Sequence, residues 1–570
     1  MNQAKFVAEY TKKHHYPMNP DLFTRSDELL VYYMENIYLS IKKEMGINAY
    51  FTFKVINFDV VFEYDKVREI LSKHLETAIN KSVKLKGVVD NRHEFNDLES
   101  SDLGVLVVTV LMEAYDGRKI KEYIMAFPKV VNKFYYRING NLRYALNQLV
   151  DASTYNNQTS KAKSPMVVLK CNFPPIHVYR NEQALVDING VTIPAFTFEV
   201  DVFKKSVPAV EHIFAKMGYM MGMRFMGLDG IIYINDSPIP HNQDHYYIFQ
   251  PKKTVNLFIS VPKSIFNQNP VVQHITYVLF TEYTRKFATL EGLNTRDMWL
   301  EALGRHFSLA TPRSKAISVL SSFEFTYDKT TKELLKLPEE EKQDVYCVLR
   351  WLIYEYNALI LKDNLDVSLK RIRVEEYMAY LLAPKIGKAI YALGDMGETV
   401  NLQTIETRMN IPYDFLVNEI AKQSIVVFAD MVTDNDSFVP LKVSRGGPSS
   451  ISEKNNSAAL PVVYRHLHPS SLNIMDATSS GNSQPGITST LIPFLKIYSG
   501  GYLIPDYKEP NEWKEVLDKQ IKELHEEIRL KEVVEFRRKI LNQSEVPELE
   551  IDDYKISEEQ RQHLLETANR

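Results

Sequence analysis

The chain has 570 residues, 68 basic against 72 acidic side chains, and two cysteines. That length exceeds what one hydrophobic core serves, so two to four domains are expected, and 45% hydrophobic with 25% charged residues is the mix of an ordinary globular protein. The totals exclude a globally basic nucleic-acid binder and a disulfide framework, and no run of about 18 uncharged apolar residues reads as a membrane span.

From the amino end, MNQAKFVAEYTKKHHYP lacks the apolar segment of a secretory signal, so a cytoplasmic protein is expected. Residues 26–46 read as a helix with Ser26 as N-cap and Gly46 as its stop. Residues 49–64 alternate as a strand, and a helix follows from Asp65 to about Lys81. Two apolar runs around Asp116-Gly117 predict a hairpin. FYYRINGNLRYALNQLVDA, residues 134–152, reads as a strand, an Asn139-Gly140 turn and a helix carrying Arg143 and Gln148.

The polar segment 155–164 reads as a linker into a second domain. Strands are predicted at 165–171 and 184–203, a Met-rich helix at about 208–226, strands at 229–234 and 245–261, and helices over about 270–325. The polar segment 327–334 closes this insertion. A long buried helix is expected from about Pro338 to Lys362, with Glu339, Glu340 and Glu341 as first-turn charges. After DNLDVSLKRIRVEEY comes a second helix to about Leu393. Residues 446–490 are rich in Ser, Gly and Asn, and KIYSGGYLIPDY reads as a short hairpin. In the charged tail Leu517, Ile521, Leu524 and Ile528 form one apolar stripe. The fold class expected is α+β and multi-domain: 1–154 and 329–445 form one domain, 155–328 is inserted into it, 446–510 is a loop-rich region and 511–570 a helical tail.

No complete catalytic constellation is visible. Walker-type and G-x-G-x-x-G phosphate loops are absent, as is a G-x-S-x-G elbow. His241 and His245 flank a loop and read as solvated rather than as metal ligands; Asp434, Asn435 and Asp436 lack the remaining ligands of a cation loop. Cys171 and Cys347 lie in apolar runs and read as buried and reduced.

Five segments, in one order, resemble the β subunit of multisubunit RNA polymerases. FYYRINGNLRYALNQLVDA is similar to that family's strand, Ile-Asn-Gly turn and Gln-Leu step. DNLDVSLKRIRVEEYMAYLL resembles its Asp-rich turn and Arg-x-Arg hairpin, and VFADMVTDNDSFVPLKVSRGGPSSISEKNN its Phe-x-Asp element and fork loop. YRHLHPSS is similar to Arg-Asp-Val-His-Pro-Thr, and IMDATSSGNSQPGITSTLIPFLKIYSGGYLIP follows the Glu-Thr-Pro-Glu-Gly-Pro-Asn region. The likeness covers about residues 25–510. Departures accompany it: Ser452 stands where an arginine is expected, the Glu-Thr-Pro-Glu core has become Thr-Ser-Ser-Gly, and residues are inserted between Asn456 and Arg465.

The resemblance implies the N-terminal half of a split β subunit, as in the polymerases of giant bacteriophages, with a protrusion-like domain, an inserted lobe-like domain and a fork region. It implies templated nucleotidyl transfer by the assembled enzyme, with no catalytic residue and no cofactor on this chain, and Mg²⁺ held by a partner. Arg371, Arg373, Asp430, Arg445, Glu453, Lys454, Arg465, His468 and Gln484 are the implied contacts to nucleic acid or nucleotide. Arg143 and Gln148 read as structural and Phe428 as a core aromatic. The implied partners are the C-terminal part of β, β′-like subunits, a promoter-specificity factor, template DNA and transcript, with no membrane. The implied location is the cytoplasm of an infected bacterium, with packaging in the virion left open. A phage scaffold protein and a self-contained nucleic-acid-binding module are the alternative readings.

Overall fold

A computed structural model describes residues 24–41, 50–74, 101–151, 153–157, 166–169, 175–202, 205–237, 245–251, 257–285, 290–335, 337–362, 366–429, 441–444, 468–475, 488–492, 495–497, 501 and 503–504. Helix and strand make up 44% and 31%, which fits the α+β class. No described helix is long and apolar enough to cross a membrane. The tail stripe from Leu517, together with Cys171 and His241, lies outside the described residues.

One core gathers residues 30–138 with residues 374–426. Its first helix, Asp27–Leu39, starts where Ser26 Oγ accepts from the Leu29 N–H at 3.1 Å. Leu30, Met34 and Ile37 recur at helical spacing and turn inward. A three-stranded antiparallel meander, 52–61, 103–114 and 117–128, packs beside it, closed by the Asp116-Gly117 turn read from the sequence. A second antiparallel sheet runs 426–428, 141–145, 135–138, 130–131. Here the expected helix over 141–152 is replaced by two strands, Asn141–Ala145 and Asn147–Val150. The cause is nonlocal. Asn139 and Gly140 both have positive φ (51° and 74°), so the chain reverses tightly onto 135–138. Strands far along the sequence then pair with both halves.

A second core is drawn from residues 167–359. A five-stranded antiparallel sheet, in the order 205–208, 192–202, 176–186, 166–169, 154–157, is covered by helices that include Ala209–Met217 and Pro270–Arg285. Residues 154–157 are its edge strand, so the polar stretch read as a linker begins as paired backbone. Asn156 is buried there and donates to the Ile360 and Lys362 carbonyls. The long helix expected from Pro338 starts only at Val345, where Asp344 caps the Tyr346 and Cys347 N–H groups. It breaks at Glu355 into Val345–Tyr354 and Tyr356–Ile360. Glu339, Glu340 and Glu341 therefore occupy a turn instead of a first helical turn; Glu339 pairs with Lys342, and Glu341 with Arg350.

The two cores meet where helix Pro312–Thr326 crosses helix Ala383–Met396. A Cβ on Gly394 would lie 2.7 Å from Ser318 Cα, so glycine sets how closely the helices approach. Ser318 Oγ donates to the Tyr391 carbonyl at 2.6 Å and Lys315 pairs with Asp395 at 2.9 Å. A third, small core collects Leu149, Val367, Ile372, Val443, Ile474, Leu491 and Leu503.

Candidate nucleic-acid interface

The small core lies under a four-stranded sheet whose strands come from four distant parts of the chain. Its order is 371–373, 147–150, 442–444, 488–490, and the 147–150/442–444 pair is parallel while the others are antiparallel. These strands lie in the segments that carry the Arg-x-Arg, Gln-Leu, Phe-x-Asp/fork-loop and Glu-Thr-Pro-Glu-Gly-Pro-Asn likenesses. Apolar residues pin the register: Ile372 opposite Leu149, with Val443 and Leu149 in the same cluster.

Arg371 and Arg373 are only 4% and 7% exposed, which corrects the expectation that they reach DNA phosphates. Both side chains are committed inside the fold. Arg371 forks onto Glu376, Nη1 to Oε2 at 2.5 Å and Nη2 to Oε1 at 2.7 Å. Arg373 donates through Nε to Gln148 Oε1 at 2.6 Å and through Nη1 to Glu376 Oε1 at 3.3 Å. Burial holds the Arg373 guanidinium below its ordinary range, against the pull of Glu376. Lys370 is buried too and pairs with Asp151 at 2.5 Å. Arg25 donates to Asn147 Oδ1, and Glu375 accepts from the Ser26 N–H. The basic run is thus buried, Lys370 on Asp151 and both arginines on the one Glu376, and it ties strand 371–373 to residues 148 and 151, while Glu375 ties it to the first helix through Ser26. Glu376 and Asp151 were missed from sequence; the alternation of Arg-Ile-Arg with Glu-Glu in RIRVEE was the available signal.

His468 is the one other predicted contact among the described residues. It opens the 3-10 turn Pro469–Asn473, its Nδ1 2.8 Å from Ser470 Oγ and accepting from the Ser470 N–H at 3.2 Å. Ser470 Oγ in turn accepts from the Val367 N–H at 2.9 Å, and Asp366 lies 3.9 Å from Nδ1. A ring whose Nδ1 accepts carries its proton on Nε2 when neutral. The hairpin 496–497/503–504 is seated on the same strand: Gly501 has φ +80°, and a Cβ there would fall 1.9 Å from the Ile372 carbonyl oxygen.

Asp430, Arg445, Glu453, Lys454, Arg465 and Gln484 lie outside the described residues. Their flanks are fixed nonetheless. Strand 442–444 pairs antiparallel with 488–490, Ser444 opposite Thr488 and Lys442 opposite Thr490, so the chain leaves and re-enters at neighbouring points. Met475 bridges to Leu491. Phe428, expected in the core, is instead 53% exposed on the edge strand 426–428, because its partner position is Arg143 and not an apolar residue. Arg143 and Gln148 are the two side chains read as structural. Gln148 holds Arg373, and Arg143 Nη1 donates to the Ala421 carbonyl at 2.9 Å. Among the described residues no group of three or more His, Cys, Asp or Glu could hold a metal.

Compared with known protein families, residues 11–510 match one family model, described as non-virion RNA polymerase subunit. No curated protein matches the chain.

Proposed function

The chain belongs to the non-virion RNA polymerase subunit family, and from that premise we propose that it is the N-terminal half of a split β subunit, forming one side of the DNA/RNA cleft of a phage multisubunit polymerase. What supports the finer reading is the sheet that unites 147–150, 371–373, 442–444 and 488–490. Four of the five segments carrying the β-like motifs converge on it, and its strands 442–444 and 488–490 bracket residues 445–487, which hold the larger part of the fork region. In this reading residues 1–154 and 329–445 are the protrusion, with its helices of 345–360 packed into the core of the inserted lobe, 155–328; 446–510 are the fork and 511–570 a tail that packs its apolar stripe on a partner.

The chemistry is templated nucleotidyl transfer, the RNA 3′ hydroxyl attacking the α-phosphate of an incoming nucleotide. A partner subunit would hold Mg²⁺, which would supply the electrostatic stabilisation this transfer needs. This chain supplies a frame. Its buried pairs hold strand 371–373; the Gly501 hairpin seats on that strand, and the turn 367–369 just before it holds the His468 turn through Val367 and Ser470. Asp430, Arg445, Glu453, Lys454, Arg465, His468 and Gln484 face nucleic acid or nucleotide. The partners are the C-terminal part of β, β′-like subunits, a promoter-specificity factor, template and transcript. The site of action is the cytoplasm of the infected bacterium.

The test is affinity purification of the tagged chain from infected cells, with mass spectrometry and a transcription assay. Several large polymerase-like chains and DNA-templated RNA synthesis are expected from the complex, and none from the chain alone. Recovery with capsid proteins only, or synthesis by the isolated chain, refutes the reading.

A further inference from the structure

Phe428 and Arg143 make a feature that the frame does not use. They face each other across the 426–428/141–145 strand pair. The Arg143 guanidinium carbon sits 4.3 Å over the centre of the Phe428 ring, a cation–π contact that fixes the ring's orientation. Arg143 is half-buried, and its one hydrogen bond among the described residues is to the Ala421 carbonyl. Its Nε is buried with no hydrogen-bond partner, and among the described residues no carboxylate neutralises it. Lys370 pairs with Asp151, and Arg371 and Arg373 share Glu376; Arg25 likewise lies over a ring, Phe134, but that ring is buried, whereas Phe428 is 53% exposed. Strand 426–428 is an outer strand of its sheet, and Leu142, whose carbonyl accepts from the Ala429 N–H, is also exposed.

An exposed aromatic ring beside an arginine that no carboxylate among the described residues neutralises fits a ligand that has a flat π-face and a negative charge. A nucleotide has both. A protein segment would need an acidic residue next to an apolar one; nucleic acid offers the combination at every position. We propose that Phe428 and Arg143 form a stacking site for one unpaired nucleotide of the transcript or template strand, base against the ring and phosphate toward the guanidinium. This rests on the reading of the chain as a polymerase subunit.

The test uses the assembled polymerase stalled on a DNA template, with p-benzoylphenylalanine at position 428 and either the RNA or the template strand end-labelled. Crosslinking to one labelled strand is expected, and the label identifies which. Crosslinks to protein alone, or none, overturn the proposal. In parallel, Phe428→Ala is expected to shorten the life of the stalled complex in high salt about tenfold, the scale of losing one stacked base. Phe428→Trp keeps a π-face and restores it. Equal lifetimes for wild type and Phe428→Ala overturn the proposal. If the subunit reading itself is wrong, the failure comes earlier and looks different: the tagged chain brings down no transcribing complex in which to place the probe.

Discussion

Replacing Glu376 by glutamine removes one charge from the centre of the interface while keeping its shape. In the native chain the carboxylate accepts from Arg371 Nη1 and Nη2 and from Arg373 Nη1, and all three side chains are 4–5% exposed. The amide has one oxygen to accept with and turns an NH₂ toward a guanidinium. Two buried cations then face a neutral group. Breaking a buried pair by removing one partner costs about 3–5 kcal/mol, since the remaining charge stays desolvated. At about 1.4 kcal/mol per decade, the lower figure multiplies local opening by roughly 150. The assay is native-state hydrogen exchange read on peptides covering 147–150 and 371–373, with helix Ala209–Met217 in the other core as the reference. Protection is expected to fall by about two orders of magnitude in the first two and to hold in the third. The double variant Arg371→Met/Glu376→Leu removes one charge of each sign and leaves Arg373 on Gln148 without a carboxylate, so it recovers only part of the loss. Unchanged protection in Glu376→Gln, or an equal fall in all three regions, refutes the idea that these charges hold the sheet.

Two buried histidines predict acid sensitivity of the second core. Burial lowers His212 to about 4 and His274 to about 3. Both folded values lie below the ordinary 6.5, so the stability they contribute is complete above about pH 6.5 and is lost as pH falls toward 4, by up to ~1.4 kcal/mol per pH unit for each. Phe198 N–H donates to His274 Nδ1 at 3.2 Å, a bond the protonated ring cannot accept. His274→Gln is expected to flatten the thermal-stability profile between pH 6.5 and 4.5, and a profile parallel to wild type sinks the argument. Gly501→Ala drives a methyl into the Ile372 carbonyl; tryptic cleavage after Lys496 is expected to quicken about tenfold, and an unchanged rate shows that the hairpin does not rest on that strand. Lys133 has φ +65° beside Asn132 at +51°, so Lys133→Gly is expected to stabilise by about 1 kcal/mol, measured as a raised unfolding midpoint. A lowered midpoint counts against strain at that turn.

Much of the fold could be read locally. Ser26 capping, the Asp116-Gly117 and Asn139-Gly140 turns, and the strands 103–114 and 117–128 all follow from neighbours in sequence. What escaped was decided at long range. Residues 141–150 became strands because their partners lie at 371, 426 and 442. The helix expected from Pro338 shortened because 339–344 form a turn and Asp344 caps the Tyr346 and Cys347 N–H groups. At the interface the residue types were legible and their facing was not. Arg371 and Arg373 looked like surface cations because nothing in a local window shows that Glu376 and Gln148 will enclose them. Phe428 looked like core because only the strand pair reveals that it stands opposite Arg143.

The pairing of 442–444 with 488–490 has an evolutionary corollary. Because the excursion between them begins and ends at adjacent positions of one sheet, closing it costs only a logarithm of its length. Length changes on either side of the 468–475 turn leave the surrounding architecture intact, while that turn, tied to Val367 and Leu491 and packed through Ile474 in the small core, is the one fixed point among the described residues along the way.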